Sequence, residues 1–146
     1  ALDIAKEQGI EIKFQEADLG DVHPNTVKFL IEGKEGAHYE VMGSSIGGGS
    51  ILVTEVNGNS VEFNGQYPTL IISHMDVPGM VSKVATLLYD MDINIAFMKV
   101  VRSQKGREAN MIFELDHEVS EEALDQIKLL GNINKVIMIN PIKDGE

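Results

Sequence analysis

The order of strand-like and helix-like patterns in the second half of the chain constrains the fold more than any other feature. Four stretches of strand character are interrupted twice by stretches whose apolar residues recur at helical spacing. The strand patterns cover residues 69–73, 93–101, 109–116 and 135–139, and the helix patterns cover residues 78–91 and 120–130. This β-α-β-β-α-β order predicts a ferredoxin-like fold of the α+β class, with a four-stranded antiparallel sheet and both helices on one face.

The first half of the chain is rich in strand patterns. Residues 2–8 have the character of a helix end, and alternating or apolar stretches follow at residues 10–14, 26–32, 38–45, 51–56 and 60–63. Asn57-Gly58 between two such stretches is a strong hairpin signal, and residues 33–36 suit a second hairpin turn. We therefore divide the chain into a β-rich part, residues 1–66, and a ferredoxin-like domain, residues 67–146.

Composition excludes several classes of function. A formal net charge of −11 argues against nucleic acid and against an anionic membrane surface as partners. The chain has no cysteine, so it supplies no disulfide and no thiolate ligand for a metal cluster. No apolar run approaches the length of a membrane-spanning helix, and we expect a cytoplasmic location. Since the sequence begins within a helical pattern at Ala1, we expect it to be part of a longer polypeptide.

Two polar residues stand where the strand at residues 69–73 gives way to the first helix. The segment reads HMDVPG, with His74 and Asp76 just before Pro78 and Gly79. In the simpler reading, Asp76 caps the helix by accepting from the Gly79 N–H, and His74 is an ordinary polar residue at a strand end. In the functional reading, Asp76 receives an ammonium group and His74 donates to a ligand oxygen beside the positive end of the helix. These groups together would suit a small zwitterion such as an amino acid.

Other candidate sites are weaker on sequence grounds. The SSIGGGS segment, with Gly47, Gly48 and Gly49, could form an anion-binding nest, although glycine runs more often let a strand bend. It has no G-K-[ST] ending and is not a P-loop. Three cations could supply positive charge to an anionic ligand, although each is more simply a solvated surface residue. They are Lys28, Lys34 and Arg102. The remaining histidines lack the spacing of a zinc site, so we predict no bound metal.

The second half of the chain resembles an ACT domain, the module that senses amino acids. The likeness is carried by the β-α-β-β-α-β order and by HMDVPGM…MDINIAFMKV, which includes the D-x-P-G turn and the N-I start of the following strand. The resemblance to D-3-phosphoglycerate dehydrogenase implies that L-serine binds His74, Asp76 and Asn94, with Asn94 coming from the partner subunit. This sequence has aspartate at position 76, where that family has asparagine. The resemblance also implies a homodimer formed through the ACT domain.

The first half adds a second resemblance. HPNTVKF followed by MGSSIGGGSILVTEVNG is similar to part of the allosteric substrate-binding domain of D-3-phosphoglycerate dehydrogenase and to the β chain of bacterial iron–sulfur L-serine dehydratase. The tandem with an ACT domain favours the dehydratase β chain. The resemblance implies a holoenzyme that deaminates L-serine to pyruvate and ammonia, with a [4Fe–4S] cluster held by the α chain and no cofactor bound by this chain.

Three functions follow as alternatives. The favoured one is a regulatory and assembly part of an L-serine dehydratase, with L-serine and the α chain as partners and no catalytic residue in this chain. The second is a serine-sensing module, either of an enzyme similar to D-3-phosphoglycerate dehydrogenase or of a non-enzymatic adaptor that binds an amino acid. The dehydrogenase would carry a G-x-G-x-x-G nucleotide-binding domain upstream. The third is a non-enzymatic ferredoxin-like adaptor that binds no amino acid.

Overall fold

The structure is a computed structural model that describes residues 2–33, 36–102 and 106–141. The described chain forms two four-stranded antiparallel sheets and three helices. The helices are α1 (Leu2–Glu7), α2 (Met80–Asp90) and α3 (Glu121–Leu129). The strands are β1 (Thr26–Glu32), β2 (His38–Gly47), β3 (Ser50–Val56), β4 (Asn59–Phe63), β5 (Thr69–Met75), β6 (Ile95–Arg102), β7 (Glu108–Leu115) and β8 (Ile133–Ile139).

The second sheet confirms the predicted ferredoxin-like fold. Its strand order is β6-β7-β5-β8, and each neighbouring pair is antiparallel. The strands β5 and β7 are central and almost wholly buried, as expected of apolar strands covered on both faces. The helix α2 begins at Met80, two residues later than the pattern indicates, because the left-handed backbone of Gly79 (φ 87°) forms its N-cap. The strand β6 lies at one edge of this sheet.

Both helices pack on one face of the second sheet. Side chains at alternate positions of β5 and β7, among them Leu70, Ile72 and Phe113, form one core with the apolar stripes of the two helices. Val84 and Leu88 of α2 are wholly buried in that core. This arrangement confirms the prediction that both helices share a face.

The first sheet has the order β1-β2-β3-β4 and continues the strand pattern of residues 26–63. Asn57 (φ 50°) and Gly58 (φ 76°) both have positive φ at the β3–β4 turn, which explains why that dipeptide predicts a tight hairpin. The predicted turn at residues 33–36 falls partly outside the described residues. The strands on either side of it pair in antiparallel fashion.

The two sheets meet through the face of the second sheet that the helices leave free. Val53, Val56, Val61 and Phe63 of the first sheet form a second core with Ile71 and Ile112. Polar contacts also join the sheets, because Asn110 on β7 donates through Nδ2 to Oδ1 of Asn59 on β4 at 3.2 Å. The second sheet is therefore covered on both faces, by helices on one and by strands on the other.

The prediction of a strand at residues 10–14 is wrong. The segment has no regular secondary structure, and Ile10, Ile12 and Phe14 are exposed, Phe14 to 85%. Alternating residues form a strand only where a neighbouring strand pairs with their backbone groups, and no such neighbour exists among the described residues. The helix α1 before it buries no residue, and it contacts this segment through the Ile10 N–H, which donates to the Ala5 carbonyl at 2.8 Å.

Candidate functional site

The end of β5 and the loop after it are fixed by backbone hydrogen bonds to two other loops. The Met75 N–H donates to the Asn132 carbonyl at 2.9 Å, and the Asp76 N–H donates to the Arg107 carbonyl at 3.0 Å. The N-cap of α2 is Gly79, which receives no side-chain hydrogen bond. The alternative in which Asp76 caps α2 is therefore wrong, because its carboxylate is engaged elsewhere.

His74 is buried at the end of β5, with 3% of its surface exposed. It shares the helix-covered face of the sheet with Leu70 and Ile72, because strand side chains alternate between faces. Its Nδ1 lies 2.8 Å from the Met75 carbonyl oxygen, so in the neutral ring Nδ1 carries the hydrogen and Nε2 is an acceptor. That buried Nε2 has no hydrogen-bond partner among the described residues.

Asp76 joins the loop to the β6–β7 hairpin. Arg102 Nη2 donates to Oδ1 at 3.0 Å, Arg102 Nε lies 2.9 Å from Oδ2, and the Gly106 N–H donates to Oδ2 at 2.8 Å. The Gly106 hydrogen bond, together with the guanidinium of Arg102, lowers the pKa of Asp76 below its ordinary value. The side chain of Asp76 is 13% exposed. A carboxylate so placed stays ionised and holds a negative charge close to His74.

Arg102 completes a row of residues across three strands. Ala109 on β7 pairs directly with His74 on one side and with Arg102 on the other. Directly paired residues point to the same face, so His74 and Arg102 lie on one face with their backbones about 10 Å apart. Ala109 between them is fully buried and fills little of that width. The row therefore has a buried acceptor nitrogen on one side of a small residue and an exposed guanidinium on the other.

Arg102 is an exposed surface residue, as predicted, but its ion-pair partner was not predicted. Its side chain is 54% exposed but is paired with Asp76. The sequence gives no sign of which of the chain's many carboxylates this cation contacts. The strand pattern of residues 93–101 does place position 102 at the end of β6, where the strand meets a hairpin.

Asn94 lies at the opposite end of the same sheet. Its Nδ2 donates to Asp116 Oδ2 at 2.8 Å, and the Asp116 N–H donates back to the Asn94 carbonyl at 3.2 Å. The residue after it, Ile95, pairs with Leu115, whereas His74 pairs with Ala109. Those two positions on β7 are six residues apart in sequence, which is roughly 20 Å along a strand, so one chain does not bring Asn94 to His74.

The other candidate groups take no part in this site. Gly47, Gly48 and Gly49 all have positive φ (95°, 62° and 79°) and form the turn between β2 and β3. Lys28 lies on β1 and pairs with Glu40 at 2.9 Å, which raises the pKa of its ammonium. Lys34 lies outside the described residues. Among the described residues, no three histidine, aspartate or glutamate side chains are grouped as metal ligands.

The second half of the chain matches a known domain family. Residues 68–131 match the ACT domain family. The match begins one residue before β5 and ends just after α3, so it includes His74, Asp76, Asn94 and Arg102. This half of the chain is an ACT domain, as its resemblance implies.

Over nearly its whole length the chain is similar to β chains of L-serine dehydratase. It is 38% identical over 139 residues to the probable L-serine dehydratase β chain of Bacillus subtilis, which is 95% of this chain and 63% of that protein. It is 31% identical over 122 residues to the L-serine dehydratase β chain of Peptoniphilus asaccharolyticus, covering 83% of this chain and 55% of that protein. The chain thus spans about three-fifths of these relatives.

A second class of relative shares the same region. The chain is 34% identical over 137 residues to D-3-phosphoglycerate dehydrogenase of Methanocaldococcus jannaschii, covering 94% of this chain but only 26% of that protein. The region that is similar to L-serine dehydratase β chains is therefore also similar to part of a dehydrogenase. No helix in the described part of the chain is long and apolar enough to cross a membrane.

Proposed function

We propose that this chain is the serine-sensing, regulatory part of an L-serine dehydratase β chain. The proposal is supported by the similarity to two such β chains over most of this chain, combined with the ACT domain. In the proposed holoenzyme an α chain associates with this chain, and L-serine is deaminated to pyruvate and ammonia. The role of this chain is then to bind L-serine and to transmit its presence.

The chemistry of the holoenzyme would reside outside this chain. Iron–sulfur clusters are held mainly by cysteine thiolates, and this chain contains no cysteine. The proposed [4Fe–4S] cluster would therefore be held by the α chain, where its iron would act as a Lewis acid on the serine hydroxyl. No residue of this chain is assigned a catalytic role.

The observation that carries the proposal is the unpartnered Nε2 of His74. A buried acceptor without a donor destabilises the protein by the desolvation of that nitrogen. The hydroxyl group of L-serine can donate to Nε2, whereas a purely apolar ligand cannot. A ligand that donates a hydrogen bond to Nε2 would offset this desolvation free energy. The site therefore favours a polar ligand beside the β5–α2 loop.

Asp76 supplies the charge for the ammonium group of serine. Its carboxylate has about four lone-pair positions, and Arg102 and Gly106 occupy three of them. With the described residues counted, one position is left for a further donor, and an ammonium can form a strong charge-assisted hydrogen bond with a carboxylate. Asp76 therefore has two tasks in this proposal, to hold the hairpin and to face the ligand.

Asn94 would reach the site from a second copy of the chain. The strand β6 is an edge strand whose outer backbone groups have no neighbour among the described residues. If two copies of β6 pair in antiparallel fashion about a two-fold axis, the start of one strand lies opposite the end of the other. Asn94 of the second copy would then lie beside Arg102, and so beside Asp76 and His74.

Calorimetric titration of L-serine tests the site. We expect wild type to bind L-serine more tightly than D-serine. His74→Phe and Asn94→Ala should each weaken binding about ten- to a hundredfold, the effect of losing one strong hydrogen bond. Asn134→Ala is the matched control, since it removes an exposed asparagine that is bonded to Glu108 instead. Absence of L-serine binding to wild type would refute the proposed sensing role.

The similarity to D-3-phosphoglycerate dehydrogenase favours a second candidate, the serine-sensing module of such an enzyme. Both candidates predict the same serine site. They differ in the reaction of the whole protein, which can be assayed for pyruvate release from L-serine and for NAD-dependent oxidation of 3-phosphoglycerate. If the whole protein oxidises 3-phosphoglycerate but releases no pyruvate from L-serine, the second candidate is correct.

A further inference from the structure

The guanidinium of Arg102 has an edge that Asp76 does not use. Asp76 contacts Nε and Nη2, which form one edge of the planar group. The edge formed by Nη1 and Nη2 has the spacing that binds a second carboxylate through two parallel hydrogen bonds. More than half of the side chain, 54%, is exposed, so a small ligand can reach it.

Asp76 and Gly106 fix where this free edge is presented. The carboxylate of Asp76 holds the guanidinium through two contacts, and the Gly106 N–H holds the carboxylate in turn. Arg102 is thus a preorganised cation, which loses less conformational freedom on binding a ligand than a free surface arginine would. It lies in the same cross-strand row as His74, on the same face, with only Ala109 between them.

We propose that Arg102 binds the α-carboxylate of the amino acid at this site and so makes the site selective for ligands with a free carboxylate. This inference rests on the proposed serine-sensing function. The amino acid spans the row, with its carboxylate on Arg102 and its hydroxyl on His74 Nε2, and its ammonium lies against Asp76 between them.

Lys99 provides a matched control on the same strand. It lies three residues before Arg102 but points to the opposite face, where it pairs with Glu62 of the first sheet. Lys99→Gln and Arg102→Gln each remove one positive charge from β6. Only Arg102→Gln removes a charge from the face that carries His74.

The test compares L-serine with serinol, in which a hydroxymethyl group replaces the carboxylate. Both are titrated into wild type, Arg102→Gln, Arg102→Lys and Lys99→Gln, using the whole chain. We expect wild type to bind L-serine about ten- to a hundredfold more tightly than serinol, the effect of a charge-assisted hydrogen bond. Arg102→Gln should remove the preference for L-serine over serinol, because it should lower the affinity for L-serine by a much larger factor than the affinity for serinol. Arg102→Lys should recover part of the preference, and Lys99→Gln should behave as wild type.

Each alternative outcome is distinct. The carboxylate assignment is wrong if wild type binds L-serine and serinol with equal affinity. It is also wrong if Arg102→Gln lowers the affinity for both ligands by the same factor, because Arg102 would then act only by holding Asp76. If Arg102→Gln leaves L-serine binding unchanged, Arg102 has no part in the site. If wild type binds no L-serine, both the proposed sensing function and the assignment of Arg102 are refuted.

Discussion

Asp76 and Arg102 tie two loops of the ACT domain together through an ion pair with two contacts, 2.9 Å between Oδ2 and Nε and 3.0 Å between Oδ1 and Nη2. Asp76 lies between β5 and α2, and Arg102 is the last residue of β6. The pair therefore fixes the candidate ligand loop relative to the edge strand at which we propose that a second copy binds. A substitution of either residue removes this contact between the loop and the strand.

The first prediction concerns the pH dependence of that contact. The Gly106 N–H and Arg102 lower the pKa of Asp76 in the folded protein below its ordinary value of 3.8. A lowered pKa stabilises the folded state at every pH above the ordinary value, and this contribution is lost as the pH falls further toward the folded-state pKa. The difference in unfolding free energy between wild type and Asp76→Asn should therefore be constant near neutral pH and narrow below about pH 4.

Urea unfolding of both proteins at several pH values measures this difference. The same comparison in an Arg102→Gln background is the control, and there the difference should be smaller because one source of the lowered pKa is gone. A difference that stays constant down to pH 3 would show that Asp76 contributes nothing through its charge.

The fold could be predicted from the sequence because local patterns and packing agree in the second half of the chain. The apolar stripe through Val84 and Leu88 predicts that one face of α2 is buried, and the apolar sequence of β5 predicts a buried strand. Both are buried in the observed core. Residues 10–14 show the limit of such patterns. Their alternation indicates a strand, but a strand also needs a neighbour, which a local pattern cannot supply.

The candidate site was only partly predictable for a similar reason. The positions of His74 and Asp76 follow from their place at the end of β5. The pairing of Asp76 with Arg102 depends on the register between β5, β7 and β6, which brings together residues 26 positions apart. The separation of Asn94 from His74 within one chain depends on that register too, and it is consistent with the resemblance, which implies that Asn94 comes from the partner subunit.

The second prediction concerns the core beneath the helices. Leu88 on α2 is fully buried, so Leu88→Ala should lower the free energy of unfolding by about 2–5 kcal/mol through lost burial and the cavity left behind. Leu129→Ala on α3 is the matched control, because Leu129 is 85% exposed, and it should change stability by less than about 0.5 kcal/mol. If Leu88→Ala and Leu129→Ala lowered the free energy of unfolding by similar amounts in denaturant titrations, the assignment of the core would be wrong.

The third prediction concerns the start of α3. Ser120 is its N-cap, and its hydroxyl oxygen accepts from the Ala123 N–H at 3.2 Å. Ser120→Ala should lower the free energy of unfolding by about 1 kcal/mol, and Ser120→Asp should preserve it because aspartate also caps and favours the positive helix end. Ser82→Ala, at an exposed position inside α2, is the control and should have little effect or stabilise slightly.

The fourth prediction concerns the contact between the two sheets. Asn110 accepts from the Ser73 hydroxyl at 2.6 Å and donates to Asn59 on β4 at 3.2 Å, and both Asn110 and Ser73 are buried. Asn110→Ala leaves the Ser73 hydroxyl and the Asn59 oxygen without this partner and should lower the free energy of unfolding by about 1–3 kcal/mol. The exposed Asn134→Ala is the control. Equal losses for the two variants, measured by thermal unfolding, would argue against a buried polar link between the sheets.

The last prediction concerns assembly through β6. Met98 and Val100 point to the helix-covered face but remain 41% and 45% exposed, because no strand or helix of the described chain covers this edge. We expect pairing with a second copy to bury them, so Val100→Lys should place a charge in the contact and shift the protein from dimer to monomer in sedimentation at tens of micromolar. Since L-serine would bind only the dimer, adding it at about a hundred times its dissociation constant should restore part of the dimer by mass action. Leu129→Lys, on the exposed end of α3, should leave the dimer intact. A wild-type monomer at this concentration, or an undisturbed Val100→Lys dimer, would show that β6 is not the interface and that Asn94 does not reach the site in this way.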